Sequence, residues 1–216
     1  MKTTLKWRVA QGRELSWWQG YLKKKDKDGY LHWKKNYWYG ILDPIKKDII
    51  LNVEDDVLDA GCGPAGVFIV LDRYKVDAVD PLIDQYEEKL THFKKSYYPK
   101  VNFFSVPLEQ YNTDKNYQCI FCMNAINHVA DLTAAFDKLI SVTKNKGYVI
   151  ISIDAHNHNS FKKLFRLIPA DVLHPHQYDL KEYEDMLTTR NCSIVVSKLL
   201  KHEFFFNHYL LVARKN

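Results

Sequence analysis

No apolar run in this sequence approaches the roughly 20 residues that a membrane-spanning helix requires. The longest, such as Val67 to Leu71 and Tyr148 to Ile153, are far shorter. The opening MKTTLKWRVAQGRELSWW lacks an apolar stretch followed by a small-residue cleavage site, so no secretory signal is expected and the cytoplasm is the expected address. Internal repeats and low-complexity tracts are also missing. Cysteine is sparse, with four in 216 residues. Cys119 and Cys122 form a CxxC pair inside an apolar run that reads as a strand. Residues three apart on a strand point to opposite faces, so this pair makes neither a chelate nor a disulfide. All four thiols are expected to be reduced, as in a cytosolic protein.

What is present suits one soluble domain with an extension. At 25.5 kDa, with 46% hydrophobic and 26% charged residues, the chain is long enough to bury a core without staples. Charge is uneven: residues 1–50 carry a net +7 and residues 51–216 a net −2. Lysines 23–25, 27, 34, 35, 46 and 47 alternate with tryptophan and tyrosine, a pattern suited to an anion or to a solvated amphipathic extension.

From residue 55 onward, apolar runs alternate with amphipathic stretches. Strands are expected at Asp56 to Ala60, Tyr74 to Asp80, Val101 to Val106, Gln118 to Met123 and Tyr148 to Ile153, the last after a turn at Lys146-Gly147. Helices are expected at Val67 to Asp72, Leu82 to Tyr97 and Leu132 to Val142. The alternation implies a parallel sheet with helices on both faces. After a helix at Leu180 to Thr188, the runs Ser193 to Lys198 and Asn207 to Ala213 are too close for a crossover helix, so they are expected to be antiparallel neighbours. Before residue 50 the pattern is helical, at Arg13 to Leu22 and at Tyr37 to Ile49, the latter interrupted by Pro44. The expected organisation is a helical extension over residues 1–50 and a principal domain over 51–216.

Gly61-x-Gly63-x-x-Gly66 follows a strand and opens a helical stretch. Glycines there permit a tight turn and close approach of a ligand to the backbone. Asp80 ends the second strand 19 residues after Gly61, where a carboxylate can accept both hydroxyls of a ribose. Both features belong to the carboxyl edge of the sheet. The glycine pattern alone also fits a nicotinamide-dependent oxidoreductase.

Three segments sharpen the reading. Val57-Leu-Asp-Ala-Gly-Cys-Gly-Pro64, Val79-Asp-Pro-Leu82 and Asn124-Ala-Ile-Asn-His-Val129 resemble motifs of the class I S-adenosylmethionine-dependent methyltransferases. The resemblance covers residues 51–216. It implies a Rossmann-like α/β fold, with a seven-stranded, mostly parallel sheet and an antiparallel last strand. It also implies a transferase using S-adenosyl-L-methionine on a small organic, sugar-linked or lipid-like acceptor. By position, Asp59, Gly61, Cys62 and Gly63 would line the methionine part of the cofactor. Asp80 would hold the ribose, with Pro81 and Leu82 near the adenine. Pro107 and Leu108 would touch the adenine, and Asn124 and Ala125 the sulfonium end. Ala65 departs from the third glycine of many members. A non-catalytic cofactor-binding protein on the same fold would share these motifs.

Methyl transfer requires alignment and, for a hydroxyl acceptor, a base. Histidine titrates in the right range. His176, His174 and His128 are the candidates, with His156 and His158 also near the sheet edge, in preference to His32, His92, His202 and His208. The pairs His156/His158 and His174/His176 lie near Asp154 and Asp171, but their setting fits loop chemistry and no metal is assigned. No nucleic-acid module accompanies the fold, so a small molecule is the expected partner. The early helices, with Trp7, Gln11, Glu14, Trp17, Trp18, Tyr21, Tyr37 and Tyr39, suit either a lid over the cofactor or packing onto the sheet. The insertion from Asn157 to Tyr178 is expected to cover the acceptor.

Overall fold

Seven strands form a single sheet in the computed structural model, which describes residues 5–156, 178–204 and 206–216. They are β1 (Asp56–Ala60), β2 (Lys75–Val79), β3 (Val101–Phe104), β4 (Tyr117–Met123), β5 (Thr143–His156), β6 (Cys192–His202) and β7 (Phe206–Lys215). Their order is β3-β2-β1-β4-β5-β7-β6. The first five are parallel, and β7 lies antiparallel between β5 and β6. Val57, Leu58 and Ala60 are fully buried, as the central strand of a sheet covered on both faces demands.

Each face has its own core. Val57, Val76, Phe121, Ile150 and Val212 pack with α1 (Leu5–Leu22), α2 (Lys27–Leu42) and α3 (Ile83–Lys89), through residues such as Leu15, Trp38 and Tyr86. Leu58, Ile120, Val149 and Leu211 meet α4 (Leu132–Ser141) and α5 (Leu180–Thr188) on the other side. Cys119 belongs to the first core and Cys122 to the second, and all four cysteines are free and buried. α1 and α2 carry all five tryptophans. Among the described residues, no helix is long and apolar enough to cross a membrane.

Several local expectations are corrected. α2 begins well before Tyr37, because the Asp26 carboxylate caps it by accepting from the Gly29 amide at 2.7 Å. Pro44 then sits in a 3-10 turn, Asp43–Ile45. Val67–Val70 is a 3-10 turn rather than a helix: the Phe68 amide is drawn to the Asp59 carboxylate at 2.9 Å. α3 stops at Lys89, far short of Tyr97. There the chain extends so that His92 and Phe93 are buried, with the His92 ring bonded to the Lys25 carbonyl at 3.0 Å. Lys146-Gly147 lies within β5, where Lys146 has φ +64° and the register against β4 shifts.

Candidate active site

The first wall of the site is the turn after β1. Gly61 and Gly63 have φ +69° and +57°, backbone that L side chains adopt at a cost. The Gly61 amide donates to the Val79 carbonyl at 2.7 Å, tying this turn to the end of β2. Asp80 completes the tie. Its carboxylate accepts from the Gly63 amide at 3.0 Å and from the Leu82 amide at 2.9 Å. One acidic side chain therefore fixes two loops relative to each other.

Asp59, expected to line the methionine pocket, stands behind the turn instead. It is 1% exposed, accepts from Phe68, and a Cβ on Gly66 would come within 2.5 Å of its Oδ2. Its role here is to brace the loop. Gly66 thus serves close packing, while Ala65 offers its carbonyl to the Trp38 indole N–H at 3.0 Å. Leu82 likewise turns its side chain into the core and contributes its amide to Asp80.

The opposite wall follows β4. Asn124 has φ +54°; its amide donates to the Ser152 hydroxyl, which in turn donates to the Asn124 side-chain oxygen, both at 2.8 Å. Ala125 comes next and closes on the glycine turn. His128 ends a 3-10 turn, Ile126–His128, and is half-buried. Glu109 accepts from the Ala130 and Asp131 amides at 2.7 and 3.0 Å, holding the Pro107-Leu108 segment alongside.

Two cavities meet over these walls. One runs from Asp80 and Pro81 to Pro107, Leu108 and Ala125, with Trp7 and Gln11 of α1 above. The other, roomier, lies between Cys62, Gly63 and Met123 and the aromatic side chains of Trp17, Trp18 and Trp38. Glu14, Gly61, Asn124 and His128 line both. Of the lid candidates, Tyr21, Tyr37 and Tyr39 line neither. Arg13 and Trp38 are lining residues that sequence reasoning missed, and Lys34, read there only as one of a basic set interleaved with aromatics, joins them.

The site is rich in acid. Burial pushes the Asp80 carboxyl up to about 7, with the nearby Glu14 charge adding to the effect and the two amides opposing it. Glu14 is itself raised by burial, against bonds from Tyr86 and Trp18. Burial also lifts Asp59 to about 7 and lowers Lys34 to about 8. The Lys34 ammonium lies over the Tyr37 and Trp38 rings at 4.4 and 4.5 Å.

His174, His176 and His158 lie outside the described residues. Among the described residues, no group of three or more His, Cys, Asp or Glu is placed to hold a metal ion. His208, ranked low from sequence, reaches the carboxyl edge because β7 runs antiparallel, and its Nδ1 meets Asp154 at 2.6 Å.

The strand order, the glycine turn and the acid after β2 together define a Rossmann-like domain of the class I S-adenosylmethionine-dependent methyltransferase type. Known proteins agree. The methyltransferase domain model matches residues 30–197. A ubiquinone biosynthesis O-methyltransferase of Rickettsia prowazekii is 27% identical over 85% of this chain and 83% of its own length. Its Rickettsia bellii counterpart is 28% identical, over 61% of this chain and 60% of its own length. Magnesium protoporphyrin IX methyltransferase from Synechocystis, solved with bound S-adenosylmethionine, superposes with a TM-score of 0.63 at 16% identity, covering 100% of both chains. YcgJ from Bacillus subtilis gives 0.67 at 15% identity, over 84% of this chain and 99% of its own. The chain belongs to the methyltransferase domain family and is an S-adenosylmethionine-dependent enzyme.

Proposed function

We propose that this enzyme methylates a hydroxyl oxygen on a small organic acceptor carrying a flat apolar ring, within the broader range of small organic, sugar-linked and lipid-like acceptors. The observation that carries this reading is the pair of joined cavities. One is narrow and bounded by Asp80, Pro107 and Leu108; the other is wide and walled by three tryptophans. Relatives named as O-methyltransferases support oxygen as the acceptor atom.

The residues fit the cofactor. Asp80 is oriented by two amides and presents a carboxylate to the narrow cavity, suited to the ribose hydroxyls. Pro81, Pro107 and Leu108 give apolar walls for an adenine. Gly61, Cys62 and Gly63 keep the turn thin for the methionine end, and Asn124 and Ala125 pass the reactive centre. When bound, S-adenosylmethionine supplies a methyl group already activated on a sulfonium. The chain's task is to align an acceptor with it, exclude water and take up a proton. α1 and α2, the helices of the 1–50 extension, act as the lid above the domain of residues 51–216. His128 is on the wall of both cavities, and His174 and His176 are the further histidines proposed for proton removal.

Calorimetry with S-adenosylhomocysteine, followed by labelled-methyl transfer to hydroxylated aromatic compounds, tests the proposal. Micromolar binding and label on oxygen are expected. Binding of NADH in its place, or label confined to nitrogen acceptors, would overturn it.

A further inference from the structure

α1 crosses the two cavities in a fixed order. Trp17 and Trp18 line only the roomier one, and Trp18 comes within 3.7 Å of where a Cβ on Gly63 would stand, over the glycine turn. Glu14 lines both; it accepts from the Tyr86 hydroxyl at 3.4 Å, and its charge acts on Asp80. Gln11 and Trp7 line only the narrow one. Trp7, Gln11, Glu14 and Trp18 follow the three-and-four spacing of one helix face, so each lies about one turn further along the site. Toward its N-terminus the helix therefore passes from the glycine turn to Asp80, and then over the pocket bounded by Pro81, Pro107 and Leu108.

One polar atom on this face has nothing to bond. The Gln11 side-chain oxygen is buried without a hydrogen-bond partner. Other oxygens in the wall of the narrow cavity are engaged. Asp80 accepts from the Gly63 and Leu82 amides, one on each oxygen, and Glu109 Oε1 accepts from the Ala130 and Asp131 amides. The Asn124 oxygen accepts from Ser152. A buried carbonyl oxygen that neither water nor protein satisfies costs free energy, and a donor brought in by a ligand removes that cost. The terminal torsion of a glutamine is soft, so its amide can turn toward an incoming donor.

We infer that Gln11 reads the base of the cofactor, its side-chain carbonyl accepting a hydrogen bond from the 6-amino group of the adenine. The assignment rests on the cofactor placement proposed above, with the base between Pro81, Pro107 and Leu108. The side chains of those three residues offer no donor or acceptor, so they hold any flat purine equally well. Adenine presents an N–H donor beside a ring-nitrogen acceptor, an edge that a glutamine amide matches with its oxygen on the amino group. Selection for that amino group then comes from α1 rather than from the sheet, and the helix that covers the site also distinguishes what it covers. Gln11 sets specificity and takes no part in the methyl transfer.

The test is calorimetry on the full chain with two ligands: S-adenosylhomocysteine, and its purine analogue with hydrogen in place of the 6-amino group. Wild-type protein should bind S-adenosylhomocysteine about tenfold more tightly, the scale of one buried hydrogen bond. Gln11→Met is similar in length and helix preference but lacks the acceptor. It should bind the two ligands alike, by losing affinity for S-adenosylhomocysteine and keeping that for the analogue. Gln11→Glu keeps a carbonyl acceptor and should keep the preference. A folded Gln11→Met that retains the tenfold preference overturns the assignment. Equal weakening of both ligands also overturns it and makes Gln11 a packing residue. Asp80→Asn tests the placement separately and should weaken both ligands to the same degree. If it leaves both affinities at the wild-type value, the cofactor placement fails and this assignment with it. If it weakens both while Gln11→Met keeps the preference, the Gln11 assignment alone fails.

Discussion

Gly61 and Ala125 stand so close that a Cβ on Gly61 would lie 2.3 Å from the Ala125 Cβ. The turn after β1 and the turn after β4 therefore meet without space for one methyl group, and the two cavities join over that seam. Gly61→Ala adds both a clash and a left-handed backbone strain. It should cost about 2 kcal/mol or more of stability, and the displaced turn should weaken S-adenosylhomocysteine binding at least tenfold. Thermal melting and calorimetry measure the two effects separately.

Cofactor affinity should depend on pH through Asp80. The protonated carboxyl is the weaker acceptor for ribose hydroxyls, so affinity is full above about 7 and declines below it. One linked proton with this midpoint gives about a tenfold loss between pH 8 and pH 6. Glu14→Gln removes the like charge and should move the midpoint lower, while burial keeps it above the ordinary carboxylate range. An inflection unmoved in Glu14→Gln would separate the two acids.

The same groups set the stability of the cofactor-free protein. A carboxyl whose folded pKa is raised binds more protons folded than unfolded across the interval. Stability is therefore lost as pH rises from the ordinary carboxylate range toward about 7, through Asp59 and Asp80. The melting temperature should fall from pH 5 to pH 7.5, and Asp80→Asn should flatten that slope.

Three residues before Asp80, on β2, Asp77 is 2% exposed and accepts from Tyr117 at 2.6 Å, Lys115 at 2.8 Å and Asn102 at 2.9 Å. These partners hold its pKa low despite burial. Its contribution is present above the unfolded carboxylate value and is lost as pH falls through the folded one. Tyr117→Phe should destabilise by about 1.5–3 kcal/mol at pH 7, with a smaller difference in acid. Denaturant titration at two pH values checks this without disturbing the site.

Much of the architecture was legible because its signals are local. Buried stretches such as Tyr148 to Ile153 read as nearly unbroken apolar runs, and the spacing of Gly61, Gly63 and Asp80 exposed the loop and the acid. Asp59 shows where position misleads: the residue type was right, but a bond to Phe68 across nine residues turned it into a brace. The same bond replaced the expected helix after Gly66 with a 3-10 turn. Trp38 gave no local sign, since a contact between α2 and the glycine turn selects it. His208 lies at the carboxyl edge because the antiparallel course of β7 brings the beginning, not the end, of that strand there, a pairing that the sequence pattern around it does not show.

The confinement of every tryptophan to α1 and α2 gives the molecule two separable optical signals. Indole emission arises only from the helical pair, while the β-sheet band of the infrared amide I region arises from the seven strands. Trp38 is hydrogen-bonded to the glycine turn and Trp17 stacks on Tyr21 with centroids 4.9 Å apart, so emission should respond when those contacts loosen. Heating with both probes measures whether the helical pair leaves before the sheet melts. Because Leu15, Trp38 and Ile41 share one core with Val57 and Phe121, the two curves should coincide without cofactor; emission leading the infrared transition by several degrees would make the helical pair an independently opening unit.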